Sequence, residues 1–302
     1  MIKNEGIDLE LRVLRYFLVI AEEGSISRAS EVLHTTQPTL SRQIKELEEE
    51  LGAGLFIREK RKMVLTKAGM YLKDRAQEIL SLSDKTTQEF INQRKQLFSG
   101  HISIGCVEAD NSDTLSMILE EFIADYPEVT FSIFSGTGED IIDKLDGGLL
   151  DVGVLLKPIS TEKYEYVSFP MHEKWGVLVE TSSFLAQKND LEPKDLKGVP
   201  LLAPVRKDVQ KKFANWMEQE VDDLTITGDY NLIFNVFSLV ENKVASALTI
   251  EGAIAHRQTE NLRFIPLHPP LETQCVFAWR KNIMFSPVVQ ELIKRMNDAF
   301  RA

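Results

Sequence analysis

The sequence contains little cysteine and no long apolar run. Only two cysteines, Cys106 and Cys275, occur among the 302 residues, and their wide separation suits a reducing cytoplasm better than a disulfide scaffold. Nowhere do about 18 apolar residues follow one another, so we expect no membrane span. Residues 1–10 lack an apolar segment, so we also expect no signal peptide.

Residues arranged for metal, redox or nucleophilic chemistry are also scarce. The five histidines show no spacing typical of metal ligands, so we expect no metal and no other cofactor. Both cysteines have apolar neighbours on predicted strands, which favours core positions over a redox role. The segment Gly136-Thr137-Gly138 lacks the rest of a phosphate-binding loop. A Ser-His-Asp site assembles in space and is not excluded by sequence, but no nucleophile lies in a recognised motif, and we expect no catalytic residue.

The net charge of −11 is unfavourable for a protein that contacts DNA phosphates. Residues 1–66 carry ten Lys and Arg against eleven Asp and Glu, so most of the negative excess lies in the rest of the chain. Charges more than about 10 Å apart are screened at physiological salt, so DNA responds to the local surface. The charge balance is therefore compatible with DNA binding, but it does not argue for it.

Residues 27–66 have the pattern of a short helix, a tight turn, a second helix and a basic hairpin. Thr36 is a good N-cap for the second helix, and Pro38 falls in its first turn, where a missing N–H costs little. Apolar residues then recur at steps of four, three and four, on one helix face: Leu40, Ile44, Leu47 and Leu51. This geometry is typical of a helix-turn-helix.

The opposite face of the second helix carries polar and basic side chains. Such side chains can reach base edges and phosphates in a major groove. We therefore expect DNA contacts from the start of the first helix and from the first turns of the second: Ser27, Arg28, Thr36, Gln37, Pro38, Thr39, Ser41, Arg42 and Lys45.

A basic hairpin follows the second helix. Gly52 and Gly54 end that helix, and two short apolar pairs at residues 56–57 and 64–65 flank a charged turn. Behind a recognition helix, such a hairpin is typical of a wing that contacts the phosphate backbone, although a solvated loop is the alternative interpretation. The wing would contribute four basic residues: Arg58, Lys60, Arg61 and Lys62.

The same segment resembles the LysR-type transcriptional regulators, densely over residues 9–75 and only by general pattern beyond them. The alternative is an amphipathic helix pair in another all-α domain. That alternative does not explain the polar face of the second helix or the basic hairpin. The residues that carry the resemblance are Ala29, Leu33, Gln37, Pro38, Leu40, Ser41, Ile44, Leu47, Glu48, Leu51, Gly52, Leu55, Phe56, Arg58, Leu65, Thr66 and Gly69.

The composition of residues 66–98 predicts one long helix, because this stretch contains no proline and a single glycine, Gly69. Its apolar seam is interrupted by polar residues, so the helix is too long and too polar to fold alone and is expected to pair with a copy of itself. The resemblance implies the same, because this linker helix dimerises the DNA-binding domains in the family. The seam residues expected at that contact are Leu72, Ala76, Ile79 and Phe90.

The remainder of the chain alternates predicted strands and helices, which indicates a parallel sheet covered by helices. The expected strands are residues 101–107, 129–134, 151–156, 175–179, 200–203, 224–227, 244–248 and 273–279. The expected helices are residues 112–126, 139–145, 207–219, 232–241, 251–257 and 287–300, with residues 157–166 crossing between two lobes. The resemblance implies a two-lobe, periplasmic-binding-protein-like effector domain.

Ligands of open α/β sheets bind beyond the carboxyl ends of the strands. Ser135 and Thr137 offer hydroxyls there, although Thr137 is equally suited to cap a helix. Glu108 and Asp110 favour a ligand with a cationic or hydroxyl-rich part, unless they face solvent. The candidate effector residues are Glu108, Ala109, Asp110, Ser135, Gly136, Thr137, Ala203, Pro204, Val205, Tyr230, Asn231 and Glu251.

We therefore expect an α/β protein with an all-α-dominated head: a winged helix-turn-helix over residues 1–66, a linker helix over 67–98 and an effector domain over 99–302. Lobe I would comprise residues 101–160 and 268–302, and lobe II residues 161–267. The expected function is cytoplasmic transcription regulation by a homodimer or homotetramer that binds double-stranded promoter DNA and a small-molecule effector, with RNA polymerase as a further candidate partner and no membrane contact. The alternatives are a ligand-binding protein whose head serves only assembly, and an enzyme built on the lobes.

Overall fold

The computed structural model describes residues 9–59, 62–94, 98–109, 112–255, 257 and 260–300. The chain divides into two compact units, Met1–Lys95 and Gln96–Ala302. Each unit has its own hydrophobic core, and each is described by itself.

The first unit contains three short helices, a two-stranded hairpin and a long helix. In chain order these are α1 (Leu11–Glu23), α2 (Ile26–Val32), α3 (Gln37–Leu51), β1 (Phe56–Glu59), β2 (Lys62–Leu65) and α4 (Lys67–Arg94). Its core joins α1, α3 and the start of α4 through fully or nearly fully buried side chains: Leu14, Phe17, Ile20, Leu40, Ile44, Leu47, Leu72 and Ala76. The predicted helix-turn-helix and hairpin are both present.

Local signals in the sequence explain where these elements begin and end. Thr36 caps α3 through its hydroxyl, which accepts the Thr39 N–H at 3.3 Å. Gly52 ends α3 with φ of 63°, a left-handed conformation that disfavours other residues. Gly69, in the first turn of α4, lies so close to the preceding chain that an added Cβ would be 2.1 Å from the Leu55 carbonyl oxygen. Only glycine permits this approach.

The long helix α4 differs in one respect from the predicted dimer seam. Leu72 is 7% exposed and Ala76 is fully buried, because the first turns of α4 cover α1 in the core of their own unit. The prediction that these two residues contact a second copy was therefore wrong. Ile79 and Phe90, further along α4, remain 39% and 66% exposed.

The second unit is a mixed α/β structure with a single continuous sheet. Strands run in the order β4-β3-β5-β11-β6-β9-β7-β8, and β10 also pairs with β6. The strands are β3 (Gly100–Cys106), β4 (Val129–Ser135), β5 (Val152–Leu156), β6 (Tyr164–Glu180), β7 (Leu201–Pro204), β8 (Ile226–Tyr230), β9 (Ser246–Ile250), β10 (Leu262–Pro266) and β11 (Glu272–Arg280). The helices are α5 (Ser112–Asp125), α6 (Gly138–Asp146), α7 (Lys207–Trp216), α8 (Val236–Glu241) and α9 (Pro287–Phe300).

Strand β6 carries the connection between the two lobes. Its first part pairs antiparallel with β11, and its second part pairs antiparallel with β9 and β10. The strand expected at 175–179 is therefore present but longer than predicted, because Tyr164–Glu180 forms one 17-residue strand that takes in the end of the expected crossing at residues 157–166. The lobes divide within β6 rather than at residue 161. Parallel pairing is confirmed for β3 with β4 and β5, and for β7 with β8 and β9.

In the second lobe, the helix predicted at 251–257 is contradicted, whereas the helix predicted at 232–241 is confirmed over residues 236–241. Residues 251–255 form turns instead of a helix, since the Ile254 N–H bonds to the Glu251 carbonyl three residues back, as in a turn. The predicted helix at 232–241 is a 3₁₀ turn at Ile233–Asn235 followed by the short helix α8. Within the described ranges, no helix is long and apolar enough to cross a membrane.

Candidate functional site

The exposed face of α3 is polar and basic in its first turns. Gln37, Ser41, Arg42 and Lys45 are exposed, whereas the apolar face of the same helix is buried. Arg42 lies 3.7 Å from Glu46 and Lys45 lies 3.4 Å from Glu49, each pair spaced four residues apart. Such exposed pairs contribute only about 0.3–0.5 kcal/mol, so both cations can exchange their carboxylate for a phosphate at small cost.

Several of the predicted DNA contacts have structural partners within the unit. The Thr36 hydroxyl, besides accepting the Thr39 N–H, lies 2.8 Å from the Thr39 hydroxyl. Arg28 donates to the Glu23 carbonyl and lies 3.5 Å from the Glu23 carboxylate, while Ser27 and Pro38 are exposed. These contacts fix the start of α3 and tie α2 to the end of α1. Thr36 and Thr39 thus serve the cap whether or not they touch DNA.

The hairpin β1–β2 lies in register with Phe56 opposite Leu65 and Glu59 opposite Lys62. The backbone of Arg58 is in β1 and Lys62 is exposed, whereas Lys60, Arg61 and the Arg58 side chain lie outside the described residues. The predicted wing is therefore present in its strands, with its basic tip not described.

Glu48 connects α3 to the wing, a role that sequence reasoning missed. Its Oε1 accepts the Leu55 N–H at 2.6 Å and the Phe56 N–H at 3.1 Å. The Met63 N–H donates to the Gly24 carbonyl at 2.9 Å, which connects the second wing strand to the end of α1. An acidic residue beside the apolar face of α3, just before Gly52, was the available signal. The wing and α3 are consequently held in one fixed arrangement.

Apolar side chains on α4 are exposed along most of its length. We call them the α4 apolar surface: Met70, Tyr71, Ile79, Leu82, Phe90 and Ile91. An exposed apolar set of this size on one helix marks a surface that another chain covers. Four of its members, Met70, Tyr71, Leu82 and Ile91, were not foreseen, because they lie outside the seam of Leu72, Ala76, Ile79 and Phe90 that the sequence predicts.

The second unit contains a cavity between the lobes, about 570 Å³ including its open mouth. It lies at the carboxyl ends of β3, β4, β5, β7, β8 and β9, where the sequence predicts a ligand. Its lining residues are Val107, Glu108, Gly136, Thr137, Gly138, Leu156, Trp175, Pro204, Val205, Arg206, Val209, Tyr230, Asn231, Leu232, Ile233, Thr249, Ile250 and Ala253. The residues missed from sequence include Trp175, Arg206 and Ile233.

Four candidate effector residues do not line the cavity. Ala109 and Ala203 are buried in the apolar core, at 5% and 1% exposure. Ser135 ends the edge strand β4 and is exposed, and Glu251 is exposed in the turn after β9. These four residues follow the right strands but do not line the cavity, and their contact with an effector stays a prediction. Asp110 lies outside the described residues.

Thr137 begins α6 with a capping box. Its hydroxyl lies 2.6 Å from Asp140 Oδ2 and accepts the Asp140 N–H at 3.2 Å, while the Thr137 N–H donates to the same carboxylate at 3.0 Å. The capping interpretation of Thr137 is therefore correct. Because the residue also lines the cavity, its hydroxyl reaches a ligand only by sharing hydrogen bonds already made.

Two charged side chains line the described part of the cavity, and their surroundings differ. Glu108, after β3, accepts the Ile233 N–H at 2.8 Å, and burial raises the pKa of its carboxyl above the usual value while this bond partly offsets the rise. Arg206, just before α7, donates to both carboxylate oxygens of Asp208, through Nε at 3.1 Å and through Nη2 at 2.5 Å. Arg206 is thus paired with a carboxylate of the protein, whereas Glu108 receives only a neutral donor.

Two aromatic residues that line the cavity, Tyr230 and Trp175, each carry one polar group. The Tyr230 hydroxyl donates to the Leu248 carbonyl at 2.6 Å, and burial raises the pKa of Tyr230 above its ordinary value. The indole Nε1 of Trp175 is buried and has no acceptor among the described residues. Among those residues there is also no cluster of three or more side chains that would hold a metal ion.

Comparisons with known proteins match both units. Residues 11–70 match the model for bacterial regulatory helix-turn-helix proteins of the lysR family, and residues 95–301 match the model for the LysR substrate binding domain. The Hca operon transcriptional activator HcaR of Escherichia coli is 28% identical over 292 residues, covering 94% of this chain and 96% of the relative. The transcriptional regulator IlvY of the same organism is 30% identical over 214 residues, covering 70% of this chain and 71% of the relative.

Solved structures show the same fold along the chain. The LysR family regulator CbnR has a TM-score of 0.74 at 20% identity, covering 97% of this chain and all of that one. A mutant of full-length BenM has a TM-score of 0.54 at 26% identity, covering 96% of this chain and 97% of that one.

Proposed function

The chain belongs to the LysR family of bacterial transcriptional regulators, and from this premise we propose specific roles for α3, the wing, α4 and the cavity. It has the helix-turn-helix DNA-binding domain and the effector-binding domain of that family. The assignment of individual residues to DNA and effector is the proposal.

The observation that supports the DNA-binding role most strongly is the polar and basic face of α3. Gln37, Ser41 and Arg42 have the donors and acceptors that match base edges in a major groove. Lys45 and Lys62 supply positive charge for phosphates, which position a protein without reading sequence. The partner is double-stranded promoter DNA, and RNA polymerase is a second partner that we propose only for the promoter-bound state.

The α4 apolar surface supports assembly into a homodimer or homotetramer. A second copy of α4 would cover side chains such as Ile79 and Phe90 that are exposed in the single chain. Two copies would present two α3 helices to two half-sites of one promoter, as symmetric dimers do. Because its DNA partner is in the cytoplasm of a bacterium, we place the protein there.

A small-molecule effector in the cavity would control this binding. Glu108 after β3 and Ile233 after β8 belong to different lobes, so a ligand between them contacts both. The ligand shifts the assembly between promoter-bound arrangements only if it binds those arrangements with different affinity. We propose no cofactor and no catalytic role, and the relatives in the comparison are named transcriptional regulators.

The experiment has two parts that use the full chain. Selection from random double-stranded DNA, followed by a footprint on the selected promoter, tests sequence-specific binding. Mass spectrometry of metabolites that remain bound to protein purified from cells identifies the effector, and a second footprint with that metabolite tests its control. Selection that yields no preferred sequence would favour a ligand-binding protein whose head serves assembly, and turnover of the metabolite would favour an enzyme.

A further inference from the structure

We propose that Glu48 is a positioning residue for DNA recognition. Its carboxylate fixes the direction in which the wing leaves α3, so that α3 and the wing contact one stretch of DNA together. The inference goes beyond the proposed function, which assigns DNA contacts to exposed side chains of α3 and the wing and none to Glu48. In this role Glu48 acts through the wing and does not touch DNA.

Two consecutive backbone N–H groups at the start of the wing donate to Glu48. Its Oε1 accepts the Leu55 N–H at 2.6 Å and the Phe56 N–H at 3.1 Å. Successive N–H groups converge on one oxygen where the chain bends into a concave site, and such a site binds an anion. Here the anion is a side chain of α3. The helix therefore determines where the chain bends and in which direction β1 begins.

Glu48 lies on the same side of α3 as the proposed DNA contacts. Ser41 follows Gln37 by four residues, and Glu48 follows Ser41 by seven, which is about two helical turns. Gln37 and Ser41 are exposed, whereas Glu48 is half-buried at the end nearest the wing. At about 1.5 Å per residue, Ser41 and Glu48 are about 10 Å apart along the helix axis. The wing is therefore attached at the end of the surface that is proposed to contact DNA.

Other contacts keep the wing close to its unit without fixing its direction relative to α3. The ring centroids of Phe17 and Phe56 lie 5.3 Å apart, but apolar contact is not directional. The Met63 N–H donates to the Gly24 carbonyl, which connects β2 to the end of α1. Among the described residues, hydrogen bonds from side chains of α3 reach the start of the wing only through Glu48.

A fixed wing favours binding because its freedom is already restricted before DNA arrives. A wing that could swing would lose that freedom on binding, and the loss of conformational entropy would weaken the complex. Hydrogen bonds to an ionised acceptor are stronger than those between neutral groups, so a carboxylate is suited to this task. A negative side chain beside a surface for phosphates is otherwise unfavourable, which sets Glu48 apart from the basic residues around it.

The salt dependence of DNA binding separates positioning from stability. On a double-logarithmic plot, affinity falls with salt at a slope of about 0.9 for each phosphate that the protein neutralises. A less stable unit reduces the amount of folded protein but leaves the number of phosphate contacts unchanged. We would measure binding of the full chain to a duplex of scrambled sequence by fluorescence anisotropy over a range of salt. Urea unfolding at the same salt concentrations corrects for the folded fraction.

Glu48→Ala removes the acceptor, and Glu48→Gln keeps an acceptor oxygen without the charge. In Glu48→Ala we expect the slope to fall by about one, the change expected from loss of one phosphate contact. Adding Lys62→Ala to Glu48→Ala should lower the slope no further, because the wing contact is already lost. Glu48→Gln should keep the wild-type slope. So should the matched control Glu50→Ala, which removes an exposed carboxylate on the opposite side of α3.

An unchanged slope in Glu48→Ala would overturn the inference, and so would an equal fall in Glu48→Gln, because the charge and not the accepted N–H groups would then matter. A further fall when Lys62→Ala is added would show that the wing contact does not depend on Glu48. If Glu48→Ala does not fold, hydrogen exchange of the wild-type chain decides. We expect the Leu55 and Phe56 amides to be protected without DNA and to gain little protection with it. Rapid exchange of both amides without DNA would contradict a wing that Glu48 fixes in advance.

Discussion

Glu108 Oε2 accepts the backbone N–H of Ile233 at 2.8 Å, and this bond joins the two lobes between residues that line the cavity. Glu108 follows β3 in one lobe, and Ile233 follows β8 in the other. The bond therefore links the ligand site to the relative position of the lobes. A ligand that engages Glu108 acts on the same carboxylate that connects them.

Removing this bond should expose the Ile233 amide to solvent. Glu108→Ala eliminates the acceptor, so we expect exchange of the Ile233 amide hydrogen to accelerate about tenfold to a hundredfold, since a hydrogen bond to a charged group contributes about 1.5–3 kcal/mol. Glu108→Gln retains an acceptor and should keep the exchange slow. The Val205 amide, which donates to the Tyr230 carbonyl at 2.8 Å within one lobe, is the internal control. Similar exchange at Ile233 in all three proteins would show that the bond does not hold the lobes.

Substitutions on α3 and on the wing should affect DNA binding differently. Gln37→Ala and Arg42→Ala should weaken binding to the selected promoter by about 1–3 kcal/mol, because each removes a donor or acceptor for a base edge. Lys62→Ala should instead weaken binding to every sequence and flatten its salt dependence, as loss of a phosphate contact does. Fluorescence anisotropy on promoter and random DNA over a range of salt concentrations separates the two. An equal loss on both DNAs for Gln37→Ala would argue against base contact.

Substitutions at exposed and at buried positions of α4 should have different effects, on assembly and on stability respectively. Ile79→Glu with Phe90→Glu places like charges on the α4 apolar surface, so sedimentation should report a smaller assembly while the fold persists. Leu72→Ala removes a side chain from the core and should lower the free energy of unfolding by about 2–5 kcal/mol. Unchanged mass for the double mutant at micromolar concentration would mean that this surface is covered by something other than a second copy.

The hydrogen bonds that Asp146 accepts from Lys163 and Tyr164 should make the free energy of unfolding depend on pH. Hydrogen bonds from Lys163 and Tyr164 hold the pKa of Asp146 below its ordinary value of 3.8. The unfolded state then binds the proton more readily, so this stabilisation is present above pH 3.8 and is lost as the pH falls through the lowered pKa. With Tyr164→Phe, the free energy of unfolding should fall less steeply as the pH is lowered. Urea unfolding at a series of acidic pH values measures this. An identical pH dependence in wild type and Tyr164→Phe would contradict the role of the hydroxyl.

The helix-turn-helix could be predicted because its signals are local. The Thr36 cap, the apolar face from Leu40 to Leu51 and the φ of Gly52 all act within a few residues. The role of Glu48 was missed because it depends on where Leu55 and Phe56 fall after the helix turns back. The burial of Leu72 was missed for the same reason. A periodic apolar pattern on a helix does not show whether its own unit or a second copy covers it.

The second unit was predicted less accurately because strand pairing is not local. The order of strands and helices is mostly correct, but only the second part of β6 was predicted as a strand, since the first part lacks a continuous apolar pattern. The predicted strand ends were enough to locate the cavity. They were not enough to name its lining, which depends on the direction of each side chain: Thr137 lines the cavity, and Ser135, two residues earlier, does not. The pairing of Arg206 with Asp208 has no pattern that sequence alone would reveal as a ligand feature.

One measurement tests the account as a whole: the affinity of the full chain for its selected promoter relative to a scrambled duplex, with and without the metabolite that purifies with it. We predict a strong preference for the promoter, and a change in promoter affinity or footprint when the metabolite is added. We also predict that Glu108→Ala abolishes that change while preserving the preference. Equal affinity for both duplexes would contradict the DNA-binding role, and a preference that no metabolite alters would contradict control from the cavity.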